Sequence, residues 1–394
     1  MVELQRRYRI TNDYIYFSNF FNKLYAIFNL FFSDACLQRR EFSIKLVKGV
    51  YLRYLTFEFP NHFRAIILKE KPAAINIGAI YNVPPKKNDM SKTFVERELV
   101  FDIDISDYND VRTCCQNKDI CKRCWKYIVI ACKILNKLLV DSLGYNKILW
   151  IFSGRRGIHC WVCDREARKL DEYDRSAIIT FLKNQLLKCF LKNGQFRLRK
   201  LNYYDRCMLS FIEPEFVPLC IVDQNVLGTE EGMNYFLALL PDPARKDVKK
   251  IFKEKTTSLD RWNGFIEYHK FAIDSQLEYW KRLAEYLDHI KLHYCGPRFD
   301  VNVTKDCKHL LRCPFSIHYE TGKIALPFDI TQVEEFDPTT SFTMNQIVAE
   351  VNIIRQKQST MENLRFIIDY NKTSLRYPMI IFRKFIEEVV SEEK

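Results

Sequence analysis

Along the chain the hydrophobic period changes several times, and the changes outline a fold. From Glu41 to Tyr81, three β-prone runs stand out: Phe42-Ser-Ile-Lys-Leu, Tyr51-Leu-Arg-Tyr-Leu-Thr-Phe and Ile75-Asn-Ile-Gly-Ala-Ile-Tyr. Pro84-Pro85 and the polar stretch to Ser91 read as a loop. A second block holds Glu98-Leu-Val-Phe-Asp-Ile-Asp-Ile-Ser, a Cys-rich loop, and a helix over about Lys122 to Leu143. It closes with the run from Ile148 to Cys163, which reads as two strands joined by a Gly-bounded turn. From about Leu170 to Leu292 the period becomes helical, with Ile178, Leu182, Leu186 and Cys189 or Phe190 on one face. The run from Pro297-Arg-Phe-Asp-Val-Asn-Val to Pro327-Phe-Asp-Ile returns to strand character and is expected to rejoin the first sheet. Thr343 and Gln346 suit a capping box ahead of Ile347, Val351 and Ile354, and a last helix is expected from Pro378 through Ile381, Phe385 and Val389.

These elements predict a mixed α/β protein with a discontinuous core over 1–169 and 293–342. A helical insertion occupies 170–292, and C-terminal helices over 343–394 pack on the core. The most apolar stretch, Tyr14 to Phe32, is broken by Asn19, Asn22, Lys23 and Asn29, which favours a buried helix capped near Asn12 or Asp13 over a membrane span. There is no internal repeat or low-complexity tract.

Composition adds two things. Of 394 residues, 61 are Lys or Arg against 49 Asp or Glu, a formal charge of +12 that suits a polyanionic partner as well as a solvated basic face. Fourteen Cys are scattered without a signal peptide ahead of them, the usage of a reducing compartment with one local metal cluster rather than a disulfide framework. That cluster is Cys114-Cys115 followed by Cys121-x-x-Cys124, four thiols within eleven positions, which suits one tetrahedral structural zinc; the alternative is free buried thiols.

Candidate chemistry lies in the second and third blocks. Alternate strand residues share a face, so Asp102 and Asp104 project together while Phe101, Ile103 and Ile105 point to the core. Their Cα atoms would stand roughly 7 Å apart, close enough for both carboxylates to serve hard divalent cations, Mg2+ or Mn2+. A solvated strand face carrying two acids would look the same. Phe299-Asp-Val-Asn-Val repeats the pattern and offers Asp300 as a third ligand from another strand. Ser153-Gly-Arg-Arg-Gly-Ile-His159 concentrates Arg155, Arg156, a hydroxyl and an imidazole in a turn whose glycines let backbone approach phosphate; a hairpin with an exposed basic tip is the plainer reading. Arg312 and His318 could close the same pocket from its other side, and Lys192, Arg197, Arg199 and Lys200 could track a single strand or simply be solvated.

Taken in order, Glu98-Leu-Val-Phe-Asp-Ile-Asp, Cys121-Lys-Arg-Cys124-Trp125, Ser153-Gly-Arg-Arg-Gly-Ile-His159-Cys-Trp-Val and Asp300 with His309-Leu-Leu-Arg-Cys-Pro-Phe-Ser-Ile-His318 resemble the small subunits of archaeo-eukaryotic DNA primases, over roughly Glu41 to Asp329. The resemblance implies a primase-type catalytic core of β-sheets flanked by helices. It implies synthesis of short RNA primers on single-stranded DNA from ribonucleoside triphosphates, with two catalytic ions on Asp102, Asp104 and Asp300 and one zinc on Cys114, Cys115, Cys121 and Cys124. Ser153, Arg155, Arg156, His159, Arg312 and His318 would bind the triphosphate, and Glu41, Arg53 and Asn76 match positions that line the nucleotide site. Relatives commonly carry Lys where Arg312 stands and an acid where Asn76 stands, so phosphate geometry and the preference for ribose are open to change. The implied partners are a large primase subunit with an iron–sulfur cluster and an assembly with DNA polymerase alpha; the implied location is the nucleus. Two other readings compete. A metal-dependent Asp-x-Asp transferase acting on nucleotide sugars explains the acids but not the Cys cluster or the Arg turn. A zinc-stabilised nucleic-acid-binding subunit explains charge and Cys but sets three outward acids against a polyanion.

Overall fold

A computed structural model describes residues 34–186, 200–275, 283–358 and 370–391. The expected helix over Tyr14 to Phe32, the positions Cys189 and Phe190, and the basic residues Lys192, Arg197 and Arg199 lie outside the described residues. Among the described residues, no helix is long and apolar enough to cross a membrane.

Two antiparallel sheets carry the mixed α/β fold. The first contains β1 (Arg40–Lys45), β2 (Tyr51–Leu55), β3 (Ala74–Tyr81) and β4 (Phe94–Glu96) in the order β2-β1-β3-β4, and the two-residue β8 (Leu311–Arg312) also pairs with β3. The second runs β5-β7-β6-β9, with β5 at Leu99–Asp104, β6 at Ile148–Phe152, β7 at Gly157–Val162 and β9 at Leu326–Phe328. The third sequence block therefore divides, β8 joining the first sheet and β9 the second.

Alternation along β5 decides the layering. Leu99, Phe101 and Ile103, all 0% exposed, pack with Ile158, Cys160, Val162, Trp150 and Phe152 against the helix Lys122–Lys137. The other face of the sheet puts Val100, Trp161, Leu149 and Ile151 into a second core shared with Phe42, Ile44, Ile75 and Ile77 of the first sheet. Helices between Glu172 and Cys295 extend the first core without a break, through residues such as Met208, Phe216, Phe236 and Phe265. The last helix, Arg376–Ser391, buries Met379, Phe382 and Ile386 in the second.

The block from Glu41 to Tyr81 also contains a helix, Pro60–Glu70, that the strand-like period concealed. Pro60 is tolerated in its first turn, Phe63 and Ile67 form its buried i, i+4 stripe, and Lys71 ends it in the left-handed region at φ 47°. The capping box is present: Gln346 N–H donates to Thr343 Oγ1 at 3.3 Å, and Thr343 N–H donates to Gln346 Oε1 at 2.8 Å.

A buried guanidinium–carboxylate pair ties the sheets together. Arg40 on β1 donates from Nη1 and Nη2 to the two oxygens of Glu98 at 3.0 and 2.5 Å, and both side chains are almost fully buried. Burial alone would raise the Glu98 carboxyl, but Arg40 outweighs it and holds Glu98 below the ordinary range. Arg175 anchors the same corner through the carbonyls of Glu98 and Arg97, at 3.1 and 2.5 Å. Removing one partner strands the other charge: Arg40→Ala is expected to cost about 3–5 kcal/mol in a denaturant titration, and the double Arg40→Met/Glu98→Met variant much less. Equal losses for both would show that the pair does not hold the sheets.

Candidate active site and metal centre

The carboxylates sit where the face of the second sheet turns from apolar to polar. Val100, Asp102 and Asp104 share the inner face of β5, in register with Trp161, His159 and Gly157 of β7. Gly157 is required there, because a Cβ would stand 2.4 Å from the Ile103 carbonyl oxygen. Asp300 comes to the same place by a route the sequence did not suggest. It is not a strand residue but the N-cap of the short helix Val301–Lys305, its Oδ1 accepting from Asn302 N–H at 2.8 Å. Its own N–H donates to the Asp102 carbonyl at 2.9 Å, which draws the helix start against β5. The strand expectation fails because Asp300 can bond its own backbone two residues on, and that closes a helical turn instead of continuing the extended run.

Burial, and then the neighbouring carboxylates of Asp104, Asp300 and Asp107, push Asp102 up to about 7. Few protein cations answer this charge. Arg156 Nε donates to both oxygens of Asp104 at 2.7 Å, and His159 Nε2 lies 3.9 Å from Asp102 Oδ1. The ring of His159 is neutral, its pKa pulled down to about 3 by burial with help from Arg312 and His309. Its buried Nδ1 has no hydrogen-bond partner among the described residues. A set of clustered oxygen donors with this much uncompensated charge fits hard divalent cations.

The turn between β6 and β7 closes on itself, Ser153 N–H donating to Gly157 O at 2.9 Å and Gly157 N–H to Ser153 Oγ at 3.2 Å. It sends Arg156 to Asp104 and Arg155 to an ion pair with Glu320. Arg312, on β8, is in register with Asn76 on β3 and donates to Ile317 O at 3.0 Å; burial pulls it down to about 10, and Asp102 is among the charges that oppose the shift. His318 is buried and neutral, drawn down to about 3 by burial and by Arg312, Arg155 and Arg156. On the first sheet Arg53 donates from Nη2 to Glu41 Oε1 at 2.9 Å, with the Glu41 side chain 1% exposed. Asn76 Nδ2 donates to Ser43 Oγ at 3.1 Å, and Ser43 Oγ lies 2.7 Å from the Tyr51 hydroxyl. The first sheet thus supplies Glu41, Arg53, Asn76 and Arg312, and the second supplies Asp102, Asp104, Ser153, Arg155, Arg156 and His159, with His318 following β8.

The four cysteines also meet. The Sγ atoms of Cys114, Cys115, Cys121 and Cys124 all lie within 4.8 Å of one another and form no disulfide. Thiolates around tetrahedral zinc stand about 3.8 Å apart, from a Zn–S bond of about 2.3 Å; here Cys121 and Cys114 are 3.5 Å apart and Cys121 and Cys124 3.9 Å. Donors aim at the sulfurs: Gln224 Nε2 reaches Cys114 Sγ at 3.3 Å and Arg112 Nη1 reaches Cys124 Sγ at 3.8 Å. Such outer partners stabilise thiolate ligands. Both escaped the sequence reading: Gln224 carries no mark in its neighbours, whereas Arg112, two residues before Cys114, had a signal in its place beside the cluster. Arg97 escaped it for a different reason: an arginine beside a core strand reads as surface, yet its Nη1 is buried against the carbonyls of Asp306 at 2.8 Å and Val303 at 3.3 Å.

An antiparallel two-sheet core with clustered carboxylates facing an arginine turn is a nucleotidyl-transfer type of site. The family model for the DNA primase small subunit matches residues 101–330. The DNA primase small subunit of Drosophila melanogaster is 35% identical over 377 residues, covering 92% of this chain and 86% of that one. That of Saccharomyces cerevisiae is 35% identical over 314 residues, 76% of this chain and 74% of the other, and that of Picrophilus torridus is 26% identical over 330 residues, 82% of each. The chain belongs to the DNA primase small subunit family. It is accordingly the RNA-primer-synthesising catalytic subunit, a DNA-directed RNA polymerase of the nucleotidyltransferase class.

Two measurements check the geometry. The raised carboxyl of Asp102 costs metal-free stability increasingly as pH climbs from about 4, where the unfolded chain ionises, to about 7, above which both states are ionised and the cost stays constant. Asp102→Asn should therefore raise the melting temperature of the metal-free protein in mildly alkaline buffer, the advantage shrinking as pH falls below about 7 and vanishing near the ordinary carboxyl range at about 4; an advantage independent of pH would remove the electrostatic explanation. Elemental analysis should find one zinc per chain, and Cys121→Ser/Cys124→Ser should lose it together with thermal stability.

Proposed function

We propose that the chain extends primers by two-metal nucleotidyl transfer on a single-stranded DNA template, with Asp102, Asp104 and Asp300 as the ligands of two Mg2+ or Mn2+ ions. The observation that carries this is the convergence of three carboxylates, two from β5 and one from the start of a distant helix, beside Arg155, Arg156, Arg312 and two neutral histidines. When bound, the ions would activate the primer hydroxyl and stabilise the departing pyrophosphate. The protein's share is positioning and electrostatics. Arg156 shields Asp104 in the resting chain, and once that carboxylate is neutralised its fork is available to phosphate oxygens. His159 and His318, held neutral, donate hydrogen bonds to the triphosphate without adding charge beside the acids. Ser153 shapes the turn, and Glu41, Arg53 and Asn76 line the sugar side. Asn76 lies across the ladder from Arg312, so the preference for ribose and the grip on phosphate would be set by neighbouring residues.

The zinc on Cys114, Cys115, Cys121 and Cys124 would be structural, since four thiolates leave no place for water. The words "small subunit" in the relatives' names support a large-subunit partner. We extend this to a large subunit with an iron–sulfur cluster, to an assembly with DNA polymerase alpha, and to a nuclear location. Higher identity to the Drosophila and Saccharomyces proteins than to that of Picrophilus supports the last two.

The direct test is labelled ribonucleotide incorporation by the purified chain on a homopolymer DNA template annealed to a short RNA primer. Extension should require a divalent ion, and Asp102→Ala/Asp104→Ala should reduce it by at least about a thousandfold while the protein remains folded. Near-normal extension by that variant would refute the metal assignment.

A further inference from the structure

The segment after His318 is docked on the arginine turn. Thr321 Oγ1 donates to Gly154 O at 2.7 Å, and the His318 N–H donates to Lys323 O at 2.8 Å. Gly154, at φ +85°, lies so close that a Cβ there would stand 3.0 Å from His318 Cβ. Glu320, at the tip, forms an ion pair with Arg155. Its Oε1 also accepts from the Tyr319 hydroxyl at 3.2 Å. Tyr319 is itself braced: its ring stacks on His318 at 5.3 Å with 10° between the planes, and Lys45 Nζ stands 3.5 Å from its centroid. The Glu320 N–H donates to His318 Nδ1 at 3.3 Å, which places the proton of that neutral ring on Nε2. Glu320 is therefore presented by a braced loop and occupies one guanidinium of the turn, while Asp104 occupies the other.

We propose that Glu320 is a specificity-determining residue for the triphosphate, an internal anion seated on Arg155 that a polyphosphate must displace. The inference rests on the reading of this turn as the phosphate-binding element. A carboxylate and a phosphate present a guanidinium with the same pair of oxygen acceptors, so the two compete for one fork. The pair is partly exposed, with Arg155 20% and Glu320 34% exposed, so the competition has the modest strength of a solvent-screened ion pair. Its effect falls on ligands that carry a phosphate chain to Arg155 and leaves the proposed metal-ligating carboxylates untouched. Glu320 acts through Arg155 and is a positioning residue.

The test compares the full-length wild type with Glu320→Gln, Glu320→Asp and Arg155→Ala in steady-state primer extension, with inorganic tripolyphosphate as an inhibitor. Glu320→Gln should lower both KM for the nucleotide and Ki for tripolyphosphate by about two- to fivefold, with a smaller change in kcat. Glu320→Asp should move both back toward wild type, and Arg155→Ala should raise both. If Arg155→Ala raises KM while Glu320→Gln leaves it unchanged or raises it, Glu320 is no competitor, and the phosphate-binding reading of the turn survives. If Arg155→Ala changes neither constant, the reading of the turn fails and the inference falls with it.

Discussion

The rotational setting of β5 is the constraint on which the rest of the molecule depends. Leu99, Phe101 and Ile103 are completely buried, so the strand cannot turn about its axis or slip by one residue without driving apolar side chains out and carboxylates in. Asp102 and Asp104 are held on the opposite face by that burial and not by any attraction between themselves. The neighbouring strand repeats the logic: Ile158, Cys160 and Val162 point into the same core, which leaves His159 opposite Asp102 and lets Gly157 lie flat against Ile103. A hydrophobic core thus fixes a polar site to within the spacing of a β-ladder.

Holding like charges together is unfavourable, and the fold distributes the means of doing so. Toward one end of the inner face the sheets are joined by apolar contacts among Val100, Trp161, Ile75 and Ile77, and by the buried Arg40–Glu98 pair. Toward the other end that closure gives way to Asp102, Asp104 and His159, where Arg156 is the nearest counter-charge. The rise of the Asp102 carboxyl to about 7, caused first by burial and then by the neighbouring carboxylates, records the electrostatic cost that remains. A site relaxed in the absence of cations would have little reason to bind them, so the electrostatic discomfort of these acids and their proposed use have one origin.

What could be read from the sequence was whatever obeys a short period. The alternation around Asp102, the glycine-bounded turn and the cysteine spacing are local patterns, and the structure brings each set together. Asp300 was recognised as an acid of interest but given the wrong element, because Phe-Asp-Val-Asn-Val alternates like a strand while its aspartate caps a helix. The helix Pro60–Glu70 was hidden between two strands whose period dominates the block, only Phe63 and Ile67 marking its buried stripe. Arg97, Arg175, Gln224 and Glu320 were invisible for a deeper reason. Each acts on a group distant in the chain, on a carbonyl, a sulfur or a guanidinium, and no one-dimensional pattern records which partner a long polar side chain will find.

The third carboxylate shows how far that dependence reaches. Its approach is set on one side by the turn that follows Asp104: the Tyr108 hydroxyl donates to Gly296 O at 3.2 Å and accepts from Arg298 N–H at 3.0 Å, while Arg298 pairs with Asp110. On the other side Arg97 grips the carbonyls of Val303 and Asp306, which brackets the short helix that Asp300 caps. The segment between these clamps continues the helix Leu283–Cys295, which packs in the same core as the cysteine-bound helix Lys122–Lys137. Gln224, at the end of the π-helical stretch Val217–Asp223 that continues the helix Tyr203–Phe216, reaches Cys114 and completes the circuit. The cysteine cluster therefore lies in one mechanical unit with Asp300, although it is not among the residues facing the carboxylates. Loosening the cluster would be felt at the site through the position of that one aspartate, whereas Asp102 and Asp104, pinned by β5 itself, would be the last to move.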